Sequence, residues 1–134
     1  MTIEEIVDNF GLFDDWEERY RYLIDLGARL PDMDDSLKTE NAKVRGCMSQ
    51  VWMILGWDTA GHLTLHADSD AQIVRGLIAV LVIIFEGKTA GEIAGIHVDE
   101  IFKKLGLDQH LSPNRRNGFF AMVERISSFT DQYK

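Results

Sequence analysis

The sequence predicts an α+β domain in which a small antiparallel sheet packs against several helices. Two early segments carry apolar residues three and four positions apart, the spacing of one helix face. Residues 51–57 are apolar and residues 62–67 alternate, as strands do. Residues 71–85 are apolar almost all round, which predicts a buried central helix. The length of 134 residues favours one domain, spanning residues 1–134.

Two helices are predicted before the sheet. Thr2 with Glu5 has the spacing of a capping box, in which side chains at the helix start pair with backbone amides. Asp15 with Glu18 repeats that spacing and begins the second helix. Pro31 should end the second helix, because the residue before a proline is pushed out of the α region.

The sheet is expected to have three antiparallel strands. The nearly continuous apolar run of residues 51–57 predicts a strand buried on both faces. A short turn leads to the alternating strand at residues 62–67, so the two form a hairpin. A third strand is expected at residues 42–45, just before the only cysteine of the chain.

The helices after the sheet also have clear start and stop signals. N-cap candidates for the central helix are Asp68, Ser69 and Asp70, since short polar side chains accept hydrogen bonds from free helix amides. Gly87 suits the left-handed position after that helix. Further starts are predicted at Thr89 with Glu92, at residue 98, and at Ser112 with Pro113. The last helix has a buried stripe of Phe119, Met122, Val123, Ile126 and Phe129.

Charge and composition limit the classes of partner. The chain has 14 Lys and Arg against 22 Asp and Glu, a net charge of −8. This charge disfavours nucleic acid, whose binding depends on neutralising phosphates, and favours partners with basic docking surfaces. The N-terminus lacks the pattern of a signal peptide, and no apolar run is long enough to span a bilayer. A cytoplasmic protein without a membrane partner is therefore expected.

Cys47 is the residue on which the functional argument turns. Gly46 favours a tight turn beside it, and the cations of Lys43 and Arg45 would favour the reactive thiolate. A lone cysteine is nevertheless most often a small buried apolar residue, as in a non-catalytic interaction domain. A cysteine-dependent hydrolase or peroxidase would need a histidine base oriented towards the thiol. The residues alone leave these alternatives open.

A metal or cofactor site is not expected. The four histidines lack the spacings of structural zinc sites, and no glycine-rich phosphate loop is present. The histidines are His62, His66, His97 and His110.

The segment around Cys47 resembles the sulfur-acceptor loop of the SufE family, which shows a Val-x-Gly-Cys-x-Ser-x-Val-Trp pattern. The matching residues are Val44, Gly46, Cys47, Ser49, Val51 and Trp52. Residues 13–31, 68–79 and 109–118 resemble further family signatures, in the family's order. The chain departs from the pattern at Arg45, where many members have proline, and at Met48, where many have a polar residue.

The resemblance implies a SufE/IscU-like fold and the role of a covalent sulfur carrier. Cys47 would be the nucleophile that takes persulfide sulfur from a pyridoxal-phosphate-dependent cysteine desulfurase, SufS or CsdA-like. It would stimulate that enzyme and pass the sulfur to a SufBCD-like iron–sulfur scaffold, without being a stand-alone enzyme. The supporting loop and pocket residues would be Arg45, Gly46, Met48, Ser49, Asp70 and Arg115.

A sheltered resting state is also expected for the nucleophile. The apolar side chains of Met48, Val51 and Trp52 flank Cys47, and burial would hold back its thiolate. The resemblance places Asp70 and Arg115 nearby, where they would help to hold the resting loop.

Overall fold

The computed structural model describes residues 1–46 and 49–133. In these residues the chain forms seven α-helices, one short 3₁₀ helix at Asp35–Leu37 and two strands. The helices are α1 (Ile3–Gly11), α2 (Trp16–Ala28), α3 (Gln72–Phe85), α4 (Ala90–Ala94), α5 (Val98–Lys104), α6 (Leu107–His110) and α7 (Pro113–Asp131). The strands are β1 (Val51–Trp57) and β2 (Leu63–Ser69). None of the helices in the described ranges combines the length and hydropathy needed to cross a membrane.

The predicted starts of α1, α2, α4, α5 and α7 are confirmed. Thr2 accepts a hydrogen bond from the Glu5 amide at 3.1 Å, and Asp15 accepts one from the Glu18 amide at 2.8 Å. Thr89 and Glu92 make both bonds of a capping box, and the Ser112 hydroxyl accepts from the Arg115 amide. The second helix ends at Ala28, before the proline expected to stop it.

Within the described residues the sheet has two strands, not the expected three. β1 and β2 pair antiparallel, with Val51 opposite Ser69 and Trp57 opposite Leu63. The expected third strand at residues 42–45 is reduced to a single bridge between Lys43 and Trp52. The chain turns on both sides of that bridge, so the segment is too short to continue the ladder.

The interpretation of β1 as buried on both faces is wrong. Val51 and Met53 are buried, whereas Ile54 on the opposite face is 37% exposed. Trp52, on the same outer face, is half-buried beneath Lys38, whose ammonium lies 5.0 Å from the ring centroid. A two-stranded sheet covered on one side buries alternate residues, however apolar the strand is.

The central helix α3 is buried along most of its length, as predicted. Its N-cap is Ala71, without a capping side chain, so none of the three expected N-cap residues occupies that position. Asp68 and Ser69 belong to β2, and Asp70 contacts the backbone of Gln50. These side chains therefore bond to other parts of the fold, although Ser69 still accepts a hydrogen bond from the Ala71 amide at 3.2 Å.

A buried ion pair joins β2 to α2 and α3. The guanidinium of Arg75 donates to Asp68 at 2.6 Å and to the carbonyl oxygens of Gly27 and Leu30. Burial on its own would raise the pKa of the Asp68 carboxyl. The amides of Ser69 and Met33, together with the charges of Arg75 and Lys38, outweigh burial and lower that pKa below 3.8.

Replacing Asp68 with asparagine is expected to lower the free energy of unfolding at neutral pH by about 2 kcal/mol, because Arg75 loses its buried counter-charge. A lowered carboxyl pKa contributes stability above 3.8 that is lost as the pH falls through the folded-state value. Denaturant titrations at several pH values should therefore show the difference between wild type and Asp68→Asn shrinking below pH 3.8.

Asp32 provides the matched control for this experiment. It also lies near Arg75, at 3.4 Å, but its side chain is 93% exposed. Exposed ion pairs contribute little, so Asp32→Asn should leave stability almost unchanged. Equal effects of the two substitutions, or a difference that does not depend on pH, would contradict the assignment of Asp68.

Candidate functional site

The segment before Cys47 is fixed by an arginine from the last helix. Arg125 of α7 donates to the carbonyl oxygen of Lys43 at 2.8 Å and to that of Asn41 at 2.6 Å. The Val44 amide then donates to the carbonyl of Val51 at 2.8 Å. This last bond closes a loop between residues 44 and 51, at the foot of β1.

The segment after Cys47 is fixed by the end of β2. The carboxylate of Asp70 accepts a hydrogen bond from the Gln50 amide at 3.1 Å. The hydroxyl of Ser69 donates to the Gln50 carbonyl at 2.7 Å, and the Asp70 amide donates to the same carbonyl at 3.3 Å. The two ends of the loop are thus bound to different elements, α7 before it and β2 after it.

Gly46 lies in the loop between residues 44 and 51, where a tight turn is expected. Gly46 has a φ of +90°, a conformation that side chains other than glycine rarely adopt. Arg45 is exposed and forms an ion pair with Glu40 at 4.0 Å. Cys47 and Met48 lie outside the described residues, so the inward position of the Cys47 sulfur stays a prediction.

A cavity of about 270 Å³ lies beside the loop, between α3 and α7. Its polar rim includes two of the expected residues, Ser49 and Arg115. Its remaining walls come from Val74, Leu77, Ser112, Asn114, Gly118, Phe119 and Met122. Ser49 and Arg115 therefore meet at one site, whereas Asp70, another of the expected residues, contacts the loop backbone instead.

Two contributors to this site, Arg125 and Ser69, were missed from the sequence. Arg125 falls three residues after Met122 and four before Phe129, on the buried stripe of the last helix. A charged residue on such a stripe needs a partner, and this signal predicts a buried contact. The sequence around Ser69 does not indicate a contact with the loop, because a serine just before a helix is interpreted as its N-cap.

The described histidines do not line the cavity beside Ser49. His110 stacks on Trp16 with ring centroids 4.2 Å apart, and the Nδ1 atom of His62 lies 3.4 Å from Asp58. Outside residues 47, 48 and 134, no group of three or more potential metal ligands occurs. The described part of the site therefore offers backbone restraint, cations and a cavity lined by both polar and apolar residues.

Comparison with known proteins assigns this arrangement to a family. A model described as "SufE: Fe-S metabolism associated domain" matches residues 4–130. The chain belongs to the SufE family. Cys47 falls within the matched residues. Membership of this family associates the protein with iron–sulfur metabolism.

Two relatives support the assignment of the whole chain to the SufE family. An uncharacterised SufE-like protein of Rhizobium meliloti is 46% identical over 130 residues, covering 95% of this chain and 93% of the relative. A second one, from Rhizobium etli, is 45% identical and covers 93% and 86% of the respective chains. A solution structure of a hypothetical protein from Thermus thermophilus has the same fold, with a TM-score of 0.78 and 18% identity. That match covers 98% of this chain and 97% of the other.

Replacing Arg125 with methionine is expected to free the segment before the cysteine of this SufE-family protein. Methionine keeps much of the apolar contact but loses both hydrogen bonds to backbone carbonyls. A buried charge-assisted hydrogen bond contributes roughly 1.5–3 kcal/mol to the free energy of unfolding. Because Arg125 is partly exposed, we expect the two bonds together to contribute about 2 kcal/mol. Hydrogen exchange should accelerate in residues 41–46 while the β1–β2 hairpin stays protected. Arg21→Met, at an exposed position on α2, is the control and should change hydrogen exchange neither in residues 41–46 nor in the hairpin. Unchanged exchange in Arg125→Met would contradict the role of Arg125.

Replacing Asp70 with arginine is expected to speed the alkylation of Cys47 in the free protein. The substitution removes the acceptor for the Gln50 amide, so the segment after the cysteine is less restrained. Asp70→Asn keeps an oxygen acceptor without the charge and should label slowly, like wild type. Asp25→Arg makes the same charge change on the exposed side of α2 and is the control. If wild-type Cys47 reacts as fast as a small free thiol, the sheltered-loop prediction is wrong.

Proposed function

We propose that this protein accepts persulfide sulfur from a cysteine desulfurase on Cys47 and passes it to an iron–sulfur cluster scaffold. The observation that carries the proposal is the position of the only cysteine. It lies in a SufE domain, between Gly46 and Ser49, in a loop bound at one end to α7 and at the other to β2. Loops that a rigid scaffold holds at both ends commonly carry the reactive residues of a protein.

The chemical step is a thiol–disulfide type of exchange. The Cys47 thiolate attacks the outer sulfur of the persulfide on the desulfurase cysteine. The bond between the two sulfurs of the donor breaks, and the electron pair leaves with the desulfurase cysteine as its thiolate. The products are a free desulfurase thiolate and a Cys47 persulfide, so no oxidant or reductant is consumed.

Two features of the chain support this chemistry. Lys43 and Arg45 precede the cysteine closely, and nearby cations favour the thiolate form. The chain has no second cysteine, so no internal thiol can attack the persulfide and release its sulfur by forming a disulfide. The sulfur therefore cannot be lost to another thiol of the same chain.

In this proposal the protein is a carrier and an activator of the desulfurase, not a stand-alone enzyme. The donor is a pyridoxal-phosphate-dependent desulfurase, SufS or CsdA-like, and the acceptor is a SufBCD-like scaffold. Removing sulfur from the desulfurase cysteine frees that cysteine for another turnover, which explains the activation. Both partners would be met in the cytoplasm.

Mass spectrometry after incubation with a SufS-like desulfurase and cysteine tests the proposal. Cys47 should gain the mass of one or more sulfur atoms, and a thiol reductant should remove it. Omitting cysteine should prevent the gain. A chain that stays unmodified, while the desulfurase itself carries persulfide, would contradict the proposal and favour a non-catalytic interaction domain. A cysteine-dependent hydrolase or peroxidase would instead be indicated by oxygen or acyl adducts on Cys47.

A further inference from the structure

The charge of this protein is distributed very unevenly along the chain. Residues 38–50 and 112–128 together contain six of the 14 Lys and Arg but only two of the 22 Asp and Glu. Their net charge is +4 (6 − 2), so the rest of the chain has −12 (−8 − 4). These two segments are the loop region around Cys47 and the first four turns of the last helix.

The two positive segments lie on one face of the fold. Arg125 of α7 bonds to the backbone of Asn41 and Lys43. An open groove between the segments is lined by three cations, Lys43, Arg45 and Arg125, and by two acids, Glu40 and Glu124. Arg115 lies near Ser49, which follows Cys47 in the loop, and both line the cavity between α3 and α7. The cations therefore surround the loop on two sides.

Several of these cations remain available to a partner. Arg45 is 83% exposed, and its ion pair with Glu40 spans 4.0 Å between two highly exposed side chains, so it adds little stability. Lys43 is partly exposed and Arg115 is exposed. Arg125, by contrast, is used by the backbone of residues 41 and 43. Asp70, an acid beside the loop, already accepts a hydrogen bond from Gln50.

We propose that this face, with Lys43, Arg45 and Arg115 around the loop, docks on an acidic surface of the desulfurase that surrounds its persulfide. The proposal rests on the proposed function and adds the chemistry of the partner's surface. The negative net charge of the whole chain favours a partner with a basic surface. The two segments next to Cys47 are instead positively charged, and they favour an acidic surface. The acidic remainder of the molecule would turn away from the same partner surface, so the charge asymmetry also orients the approach.

The test compares two charge reversals of equal size. Lys43→Glu with Arg45→Glu reverses two cations beside the loop. Lys103→Glu with Lys104→Glu reverses two exposed cations on α5, outside both positive segments. Binding of each double variant is measured by calorimetry against the desulfurase that loads wild-type Cys47, at low salt and at about 1 M salt, where the screening length is about 3 Å.

The expected result is about tenfold weaker binding at low salt for the loop variant and near-wild-type binding for the α5 variant. The loop variant and wild type should converge at high salt, which a merely misfolded loop would not do. Equal effects of the two reversals, or a difference unaffected by salt, would overturn the docking proposal. If wild-type Cys47 accepts no sulfur at all, both the proposed function and the docking proposal are wrong. If wild-type Cys47 accepts sulfur but the two double variants bind the desulfurase equally well, only the docking proposal is wrong.

Discussion

Replacing Cys47 with serine is expected to abolish sulfur acceptance completely while leaving the fold intact. Serine is close to cysteine in size, but its hydroxyl is a far weaker nucleophile at neutral pH than a thiolate. The variant should gain no sulfur from a loaded desulfurase, and its stimulation of desulfurase turnover should fall to the level of the enzyme alone. The thermal unfolding midpoint should stay close to that of wild type. Sulfide release in the presence of cysteine measures the turnover.

A second variant and a modified protein make this result specific. Cys47→Ala removes the hydroxyl as well and should behave like the serine variant. Wild-type protein alkylated at Cys47 should also be inactive, although its sequence is unchanged. Undiminished stimulation by Cys47→Ser would contradict the covalent role and would leave an allosteric activator of the desulfurase.

Replacing Gly76 with alanine is expected to cause a large loss of stability. Gly76 of α3 packs directly on the backbone of α2, and an added Cβ would overlap the carbonyl oxygen of Leu23 and lie 2.7 Å from its carbonyl carbon. The two helices must separate to accept it, which costs about 3 kcal/mol after the better helix propensity of alanine is counted. The unfolding midpoint should fall by roughly 10 °C.

Gly91 is the matched control, because it is also a helical glycine but faces open space. Alanine at that position should stabilise the protein by about 0.5–1 kcal/mol through helix propensity alone. The opposite signs of the two substitutions are the expected finding. A neutral Gly76→Ala would contradict the close crossing of α2 and α3, and the position of the cavity that α3 shares with α7 would then have to be reconsidered.

The parts of the fold that follow from local rules could be predicted from the sequence. The start of α4 at Thr89 depends on its own hydroxyl and on Glu92 three residues later, so the pattern is complete within one turn. The bounds of β1 likewise follow from a continuous apolar run. The same run could not show which face would be covered, because the exposure of Ile54 depends on how distant parts of the chain pack against the sheet.

The parts that depend on distant contacts could not be predicted in this way. The segment at Lys43 has the residues of a strand, but turns on both sides limit it to one bridge. Asp68 has the character of a helix cap in sequence, yet its carboxylate pairs with Arg75 on α3. Arg125 lies more than 80 residues from the loop that it fixes, and only the fold brings the two together. The family resemblance indicated that Ser49, Asp70 and Arg115 belong to the site. The contacts of Arg125 and Ser69 could be recognised only from the three-dimensional structure.

A single-turnover transfer experiment tests the central claim most directly. The desulfurase is first loaded with radioactive sulfur from labelled cysteine, and the remaining cysteine is removed. Wild-type protein is then added in equal amount, and the label on each chain is followed by non-reducing electrophoresis. Label should leave the desulfurase and appear on the wild-type chain at the same rate, but never on Cys47→Ser. Label that stays on the desulfurase, or that is released as free sulfide without passing through Cys47, would contradict it.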